Sequence, residues 1–378
     1  MKHILKTIPF LAFCFALTLL SCAKKEKPAD TATVADTVKT VREVWTKEQA
    51  NAWYTQWGWL RGSDFIPSTA INQLEMWQAE SFDTATINRE LGWAESIGMN
   101  SMRVYLHHLA WELDPAGFKD RMNTYLTIAD KHHISTLFVF LDDCWNPEYQ
   151  SGKQPEPKTG IHNSGWVRDP GPRIFADTTH TTFDSTQLAT LEKYTKDVLT
   201  HFKDDKRIVL WDLYNEPGNS NNKNKSLPLL EKMFQWGREV NPSQPLSSGV
   251  WAGDLVDLNK YQLANSDVIT YHNYDVPEEH KKLIDSLKAY GRPLICTEYM
   301  ARTRGSLFSN VMPMLKAENI GAYNWGFVSG KTNTIYAWSA PMPKGGEPKL
   351  WFHDIFRKDG KPYKKDEVAL IKSLTGKN

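Results

Sequence analysis

The chain has 378 residues, with 45 Lys and Arg against 44 Asp and Glu, a formal net charge of +1. That balance removes the electrostatic attraction on which binding to nucleic acid or an anionic membrane depends, so a neutral partner and no nucleic acid are expected. Four cysteines in such a length do not amount to a disulfide framework.

At the N-terminus, Lys2 and Lys6 precede an apolar run from Ile8 to Leu20 that ends in Leu19-Leu20-Ser21-Cys22. A charged start, a short apolar centre and an abrupt return to Lys24 and Lys25 read as a signal peptide over residues 1–21, because a spanning helix wants about 20 apolar residues. The segment resembles the signal of bacterial lipoproteins, in which the cysteine after the cleavage site is acylated. That resemblance implies lipidation at Cys22, a place in the bacterial cell envelope, and membrane contact only through the lipid anchor. An ordinary cleaved signal with an incidental Cys22 is the other reading. Residues 22–42, rich in Lys, Ala, Thr, Asp and Pro and without periodicity, are expected to form a flexible tether.

From residue 43 to residue 378 short apolar runs alternate with amphipathic stretches, without an internal sequence repeat. The predicted strands are Trp59–Phe65, Ser101–Leu106, Ser135–Leu141, Ile208–Leu213, Leu246–Val250, Val268–His272, Leu294–Thr297 and Gly321–Phe327. Helical patterns between them include Thr84–Ile97, Gly117–His132, Gln187–Phe202 and Ser226–Val240, with N-caps expected at Asp83, Thr186 and Ser226. Eight such units in succession point to an α/β fold, a single-domain (β/α)8 TIM barrel with long strand-to-helix loops; a doubly wound open sheet is the other architecture. The domain's roughly 335 residues exceed the ~250 of a plain barrel, and much of the excess lies in one insertion, Asp142 to about Asp184, crowded with Pro, Gly, Asn and Trp. A loop of that length directly after a strand end is expected to be functional.

Barrel active sites sit where the strands end. The second strand runs on into Tyr105-Leu106-His107-His108, the third ends Asp142-Asp143-Cys144-Trp145, and the fourth ends Asn215-Glu216-Pro217. The sixth ends His272-Asn273-Tyr274, the seventh Thr297-Glu298-Tyr299, and the eighth carries Asn324-Trp325-Gly326. Glu216 and Glu298 each follow a short apolar strand, at the fourth and seventh positions, which places them across one mouth from each other. A single glutamate there reads as readily as an ion pair or a helix cap. Two of them form the pair that retaining glycoside hydrolysis requires, one protonated to release the leaving sugar and one ionised to attack the anomeric carbon.

Asn215-Glu216-Pro217 and Thr297-Glu298-Tyr299 resemble the catalytic elements of clan A glycoside hydrolases, particularly family 5, and Arg103, His272, Tyr274 and Trp325 match at further strands. The resemblance implies that Glu216 is the acid/base and that Asn215 hydrogen-bonds the sugar's 2-hydroxyl. It implies that Glu298 is the nucleophile held by Arg103 and Tyr274, that His272 lies beside the acid/base, and that Trp325 floors the subsite where the bond breaks. A guanidinium beside Glu298 favours its ionised form, whereas a drier and less cationic setting is expected to raise the pKa of Glu216. Where family 5 enzymes usually carry a histidine near the end of the third strand, this chain has Asp142-Asp143-Cys144-Trp145. His107 and His108 are candidates to supply part of that function, or are structural. Trp145 is a candidate sugar contact, Asp142 and Asp143 are candidates for sugar hydrogen bonds or for binding a cation, and Gly58-Trp59, Asp64-Phe65-Ile66-Pro67 and Trp351-Phe352-His353-Asp354 are candidate cleft walls or packing segments.

His, Asp and Glu are otherwise too dispersed for a recognisable metal motif, and no phosphate loop or Ser-centred elbow occurs, so no metal and no cofactor are expected. The expected partner is a neutral polysaccharide or oligosaccharide, with 15 Trp residues available to stack on sugar faces as well as to fill the core, and the protein is expected to act as a monomer. A non-catalytic surface glycan-binding lipoprotein and a transglycosylase remain open on the same residues.

Overall fold

The computed structural model describes residues 41–377 apart from His180; the signal-like segment 1–21, Cys22 and residues 23–40 of the expected tether lie outside the described residues. Eight strands run parallel: β1 (Arg61–Asp64), β2 (Ser101–Tyr105), β3 (Ser135–Asp142), β4 (Ile208–Asn215), β5 (Leu246–Ser247), β6 (Ile269–His272), β7 (Leu294–Tyr299) and β8 (Gly321–Asn324). Their hydrogen-bonded order, β5-β4-β3-β2-β1-β8-β7-β6, curls the sheet until β5 and β6 face each other. That seam has no continuous strand ladder among the described residues and is crossed by scattered links. Val250 N–H donates to Thr270 O at 3.1 Å and His272 N–H to Val250 O at 2.9 Å, while the Ser247 hydroxyl donates to Val268 O at 2.9 Å and meets Thr270 Oγ1 at 2.8 Å. The chain is a nearly closed (β/α)8 TIM barrel.

Strand bounds differ from the sequence reading where side chains take over the ladder. The run Leu246–Val250 contributes only two strand residues, because Ser247 bonds to β6 through its hydroxyl. Trp59 lies outside β1, its ring N–H donating 2.8 Å to Ile320 O just before β8 begins. Asp83 caps its helix as expected, accepting from Thr86 N–H at 3.0 Å. The cap expected at Thr186 is instead Asp184, whose carboxylate accepts from the N–H groups of both Thr186 and Gln187 at 2.9 Å. A carboxylate placed at the positive helix end outcompetes a hydroxyl two residues inside it. Ser226 precedes its helix but does not cap it, since its hydroxyl donates to Asp143 and accepts from Gly218 N–H.

The core has two layers, set by the two-residue period of the strands. Along β3, Leu137 and Val139 join the barrel interior with Leu60, Val209, Ile295 and Tyr323, whereas Phe138 and Phe140 join the layer between strands and helices and pack on Trp211. Each such side chain, fully buried, contributes about 1.5–3 kcal/mol. The helix Lys47–Trp57, opened by a Thr46–Gln49 capping box, sets Ala50 and Tyr54 into the interior cluster. Its flank is pinned at the end where the strands begin, with Trp45 N–H donating 2.9 Å to Asp267, the residue two before β6. The other end, where the strands finish, is left to the long loops.

Candidate active site

At that mouth an open cleft of about 780 Å³ is lined by residues from β3, β4, β6, β7 and β8 and their loops, with Glu216 and Glu298 at its floor. Glu298, near the end of β7, takes four contacts that divide its two oxygens. Oε1 accepts from Arg103 Nη1 at 2.9 Å and from the Tyr105 hydroxyl at 2.9 Å; Oε2 accepts from the Tyr274 hydroxyl at 2.6 Å and lies 3.5 Å from His272 Nδ1. Arg103 is fully buried and also reaches Asp64 at 2.8 Å, Asp212 at 2.8 Å and Asn215 Oδ1 at 2.7 Å. Burial works against its charge, but Tyr105, Asp64, Asp212 and Glu298 together hold its pKa well above the ordinary arginine value. Burial, with the nearby Glu298, lifts the pKa of Tyr274 well above that of a free phenol, so it keeps the proton it donates.

Glu216 follows β4 in a left-handed conformation with φ of +43°, a strained backbone for a non-glycine residue that turns its side chain away from the strand line. Its Oε1 lies 2.8 Å from His272 Nδ1, and its Oε2 accepts from Cys144 Sγ at 3.2 Å and from the Asn219 amide. Burial alone raises its pKa, but the His272 hydrogen bond and charge, with Cys144 and Asn219, bring the net value below the usual glutamate range. The raised value expected from sequence is therefore not what the structure gives, because the donors that meet Glu216 come from three different elements. A carboxylate oxygen of Glu216, one of Glu298 and a ring nitrogen of His272 all lie within 4.8 Å of one another.

The other predicted residues divide by the face they present. Asn215, Trp325, Trp145 and Asp142 line the cleft, but Asn215 is fully engaged at rest, its oxygen on Arg103 and its amide donating 2.9 Å to Asp142. Asp142 also accepts from Trp166 Nε1 at 2.7 Å, and burial pushes its pKa up to about 7. Asp143 does not line the cleft. It accepts from Tyr214, Ser226 and Gly218 N–H and so anchors the turn that carries Glu216. His107 takes the structural alternative: Nδ1 accepts from Leu109 N–H, Nε2 bonds Arg168 O at 3.2 Å, and burial lowers its pKa to about 4. It and His108 hold the insertion to β2 through Arg168 and Asp169. His353 and Asp354 are fully buried and do not line the cleft.

Sequence reasoning missed Tyr105, Cys144 as a neighbour of Glu216, Asn219, Trp166 and Trp338. Tyr105 had a signal, since it lies two residues beyond Arg103 on the same strand and shares its face. Two side-chain sets could offer a cation three ligand atoms, His107 with His108 and Asp169, and Glu216 with His272 and Glu298. In the first, both ring nitrogens of His107 are engaged, and in the second the Arg103 guanidinium already faces Glu298. Neither donor set favours a cation over the hydrogen bonds it has.

Residues 166–337, a span containing both glutamates, match the model of the TIM barrel domain of glycosyl hydrolases family 2. No curated protein shows a significant sequence match. Among solved structures the chain is similar to GH5_18 from Streptomyces cattleya in complex with Manβ1-4GlcNAc, at 11% identity over 84% of this chain and 80% of that one, TM-score 0.58. It is similar to an exo-β-1,4-mannosidase from Opitutaceae bacterium strain TAV5, at 15% identity over 84% of this chain and 60% of that one, TM-score 0.56. The endo-1,4-β-mannanase from Rhizomucor miehei is another, at 13% identity over 84% and 94%, TM-score 0.54. At such identities the structures speak to fold, and function rests on the site. The chain thus resembles the clan A (β/α)8 glycoside hydrolases, and family match and fold together support a glycosidase of the TIM-barrel type.

Proposed function

We propose that the chain is a retaining O-glycoside hydrolase that cleaves β-glycosidic bonds of a neutral oligosaccharide or polysaccharide by double displacement, with Glu216 as acid/base and Glu298 as nucleophile. The observation that carries this is the pair itself. An oxygen of each lies within 4.8 Å of one of the other, short of the roughly 6.5–9.5 Å that an interposed water requires for inversion and close to the roughly 5–5.5 Å of retaining pairs. The partners of the two acids also differ, with a guanidinium and two phenols on Glu298 and an imidazole, a thiol and an amide on Glu216.

In the first step Glu216 gives its proton to the glycosidic oxygen as the bond to the anomeric carbon breaks, and a Glu298 oxygen bonds that carbon to form an ester. In the second, Glu216 takes a proton from water, the water oxygen bonds the anomeric carbon, and the ester bond to Glu298 breaks; two inversions give retention. His272 suits both states of Glu216. With its proton on Nε2, Nδ1 accepts from the carboxylic acid, and with the proton on Nδ1 it donates to the carboxylate. Ester formation removes the negative charge of Glu298 from beside Glu216, which eases the switch to base. Because several similar structures are named for β-mannosides, aryl β-mannosides and β-1,4-mannooligosaccharides are the first substrates to try.

Replacing Glu298→Ala is expected to abolish turnover with folding intact, and added azide to restore partial activity as a glycosyl azide of inverted anomeric configuration. Unchanged hydrolysis by that variant overturns the assignment. We also propose acylation at Cys22, supported by Leu19-Leu20-Ser21-Cys22 after a charged and apolar start. In a bacterial host, labelled fatty acid is expected in the wild type and absent from Cys22→Ser; equal labelling of both rules the anchor out.

A further inference from the structure

Three loops join at one side of the cleft. The insertion after β3 and the loop after β8 are hydrogen-bonded to each other across the mouth: Asn163 N–H donates to Thr332 O at 2.8 Å, Met342 N–H to Gly160 O at 2.9 Å, and the Asn333 amide to Lys158 O at 3.0 Å. The loop after β1 completes the wall, with Lys331 N–H bonded to Ser68 O at 3.1 Å and the Asn72 amide to Gly165 O at 2.9 Å. The loops on the other side, after β4 and β5, contribute Asn219 and Trp251 to the cleft without a comparable junction to the β8 loop among the described residues.

At the junction, polar groups are left over. Asn163 lines the cleft, is 1% exposed, holds a left-handed φ of +46°, and neither its amide oxygen nor its amide nitrogen has a hydrogen-bond partner among the described residues. His162, beside it and 3% exposed, bonds Tyr336 O through Nδ1 at 2.8 Å. A carbonyl only accepts, so Nδ1 carries the hydrogen; burial lowers the ring's pKa to about 4, which leaves unpartnered Nε2 a bare acceptor. A buried unsatisfied polar group costs about 1–3 kcal/mol, and several of them on one strained, cleft-lining pair are poorly explained by folding. Trp145 and Trp338, 36% and 38% exposed, flank His162 with ring centroids 5.3 and 6.3 Å away, and offer faces to a sugar.

We infer that the enzyme is exo-acting: the cleft is a blind pocket for the terminal, non-reducing sugar, whose hydroxyls satisfy Asn163 and His162 at the end wall. This rests on the assignment of Glu216 and Glu298 above, which sets the direction. The side of Asn219 and Trp251 carries no such junction among the described residues and takes the leaving group beside Glu216, and the sugar held at Glu298 extends the other way, past Trp325 to the wall. A chain cannot run through the junction, so cleavage occurs one residue from the end.

The test uses the full chain with reducing-end-labelled β-1,4-mannohexaose and cellohexaose, soluble mannan, and aryl β-glycosides. The expected course is release of monosaccharide with the labelled product shortening one unit at a time and mannan viscosity nearly constant. Labelled products of mixed length from the outset, with rapidly falling viscosity, overturn the blind-pocket inference and leave the glutamate assignment standing. Absence of cleavage of every probe removes both. For the end wall, Asn163→Ala is expected to lower kcat/KM on the best aryl glycoside roughly 10- to 100-fold. One monodeoxy analogue is expected to lose a similar factor with the wild type and nothing further with the variant. A variant that still loses the full factor on every deoxy analogue shows Asn163 to be structural only.

Discussion

Glu216 sits between opposed influences, and its ionisation is decided by its neighbours rather than by burial. Burial raises its pKa, while His272, Cys144 and Asn219 favour the carboxylate and bring the net value below the usual range. General acid catalysis needs the proton in place when substrate arrives, and the pH dependence of kcat/KM reports the free enzyme. The Asn219 amide only donates to Glu216, and because a hydrogen bond to a carboxylate is roughly twice as strong as one to a neutral acid, it favours the ionised form. Removing it in Asn219→Ala raises the Glu216 pKa, enlarges the protonated fraction at any given pH, and moves the basic limb of the kcat/KM profile to higher pH. The profile measured with an aryl β-glycoside checks this, and a limb that stays in place or moves down refutes it. Both glutamates were legible in the sequence because each follows a short apolar run and so lies at a strand end. Asn219 and Cys144 were not, because what makes them neighbours of Glu216 is its left-handed φ, a property no strand pattern carries.

Among the elements, the insertion after β3 contributes most to the shape of the site, and one buried carboxylate holds it down. Asp169 exchanges backbone hydrogen bonds with Asp142 at 2.8 and 2.9 Å, and its side chain accepts from His108 N–H at 2.8 Å and meets the His108 ring. Burial works to raise its pKa, but His107, His108 and those hydrogen bonds hold it below the ordinary carboxylate range. A carboxyl depressed on folding stabilises the fold above its unfolded pKa, and that contribution is lost as pH falls through its folded value. The insertion of the wild type is therefore expected to lose protection from proteolysis and hydrogen exchange in acid alone. Asp169→Asn removes on the order of 3 kcal/mol of charged hydrogen bonding, so the same segment is open at neutral pH as well and KM rises. Protection of the insertion in the variant equal to wild type at neutral pH disproves this role. The barrel strands were readable because their apolar runs are local, as in Leu137–Leu141. The docking of the insertion was not, since His107, Asp143 and Asp169 look like catalytic polar residues until their partners are known, and Asn163 meets Thr332 across a sequence separation that no local pattern spans.

At the scale of the whole molecule, chemistry and stability occupy opposite ends of the barrel. The end where the strands begin is closed by the helix Lys47–Trp57 and by an ion cluster on Asp267, which is fully buried. Arg42 pairs with it, Arg238 Nη1 donates to it at 2.8 Å, and the N–H groups of Trp45 and Leu246 donate to it at 2.9 and 2.8 Å. One carboxylate thus ties the N-terminal segment to the helix Leu227–Val240 and to the first residue of β5, the shortest strand and one side of the seam. Asp267→Asn keeps the size of the side chain but leaves two nearly buried arginines facing each other without a counter-charge, an arrangement that costs about 3–5 kcal/mol. For a domain of this length that corresponds to a fall of roughly 4–7 °C in the thermal midpoint. None of the groups involved touches the cleft, and distant sites act independently. Below the transition, kcat/KM on an aryl β-glycoside is therefore expected to stay within about twofold of wild type. A variant with an unchanged midpoint, or one that loses activity while still folded, shows that the two ends are not divided in this way.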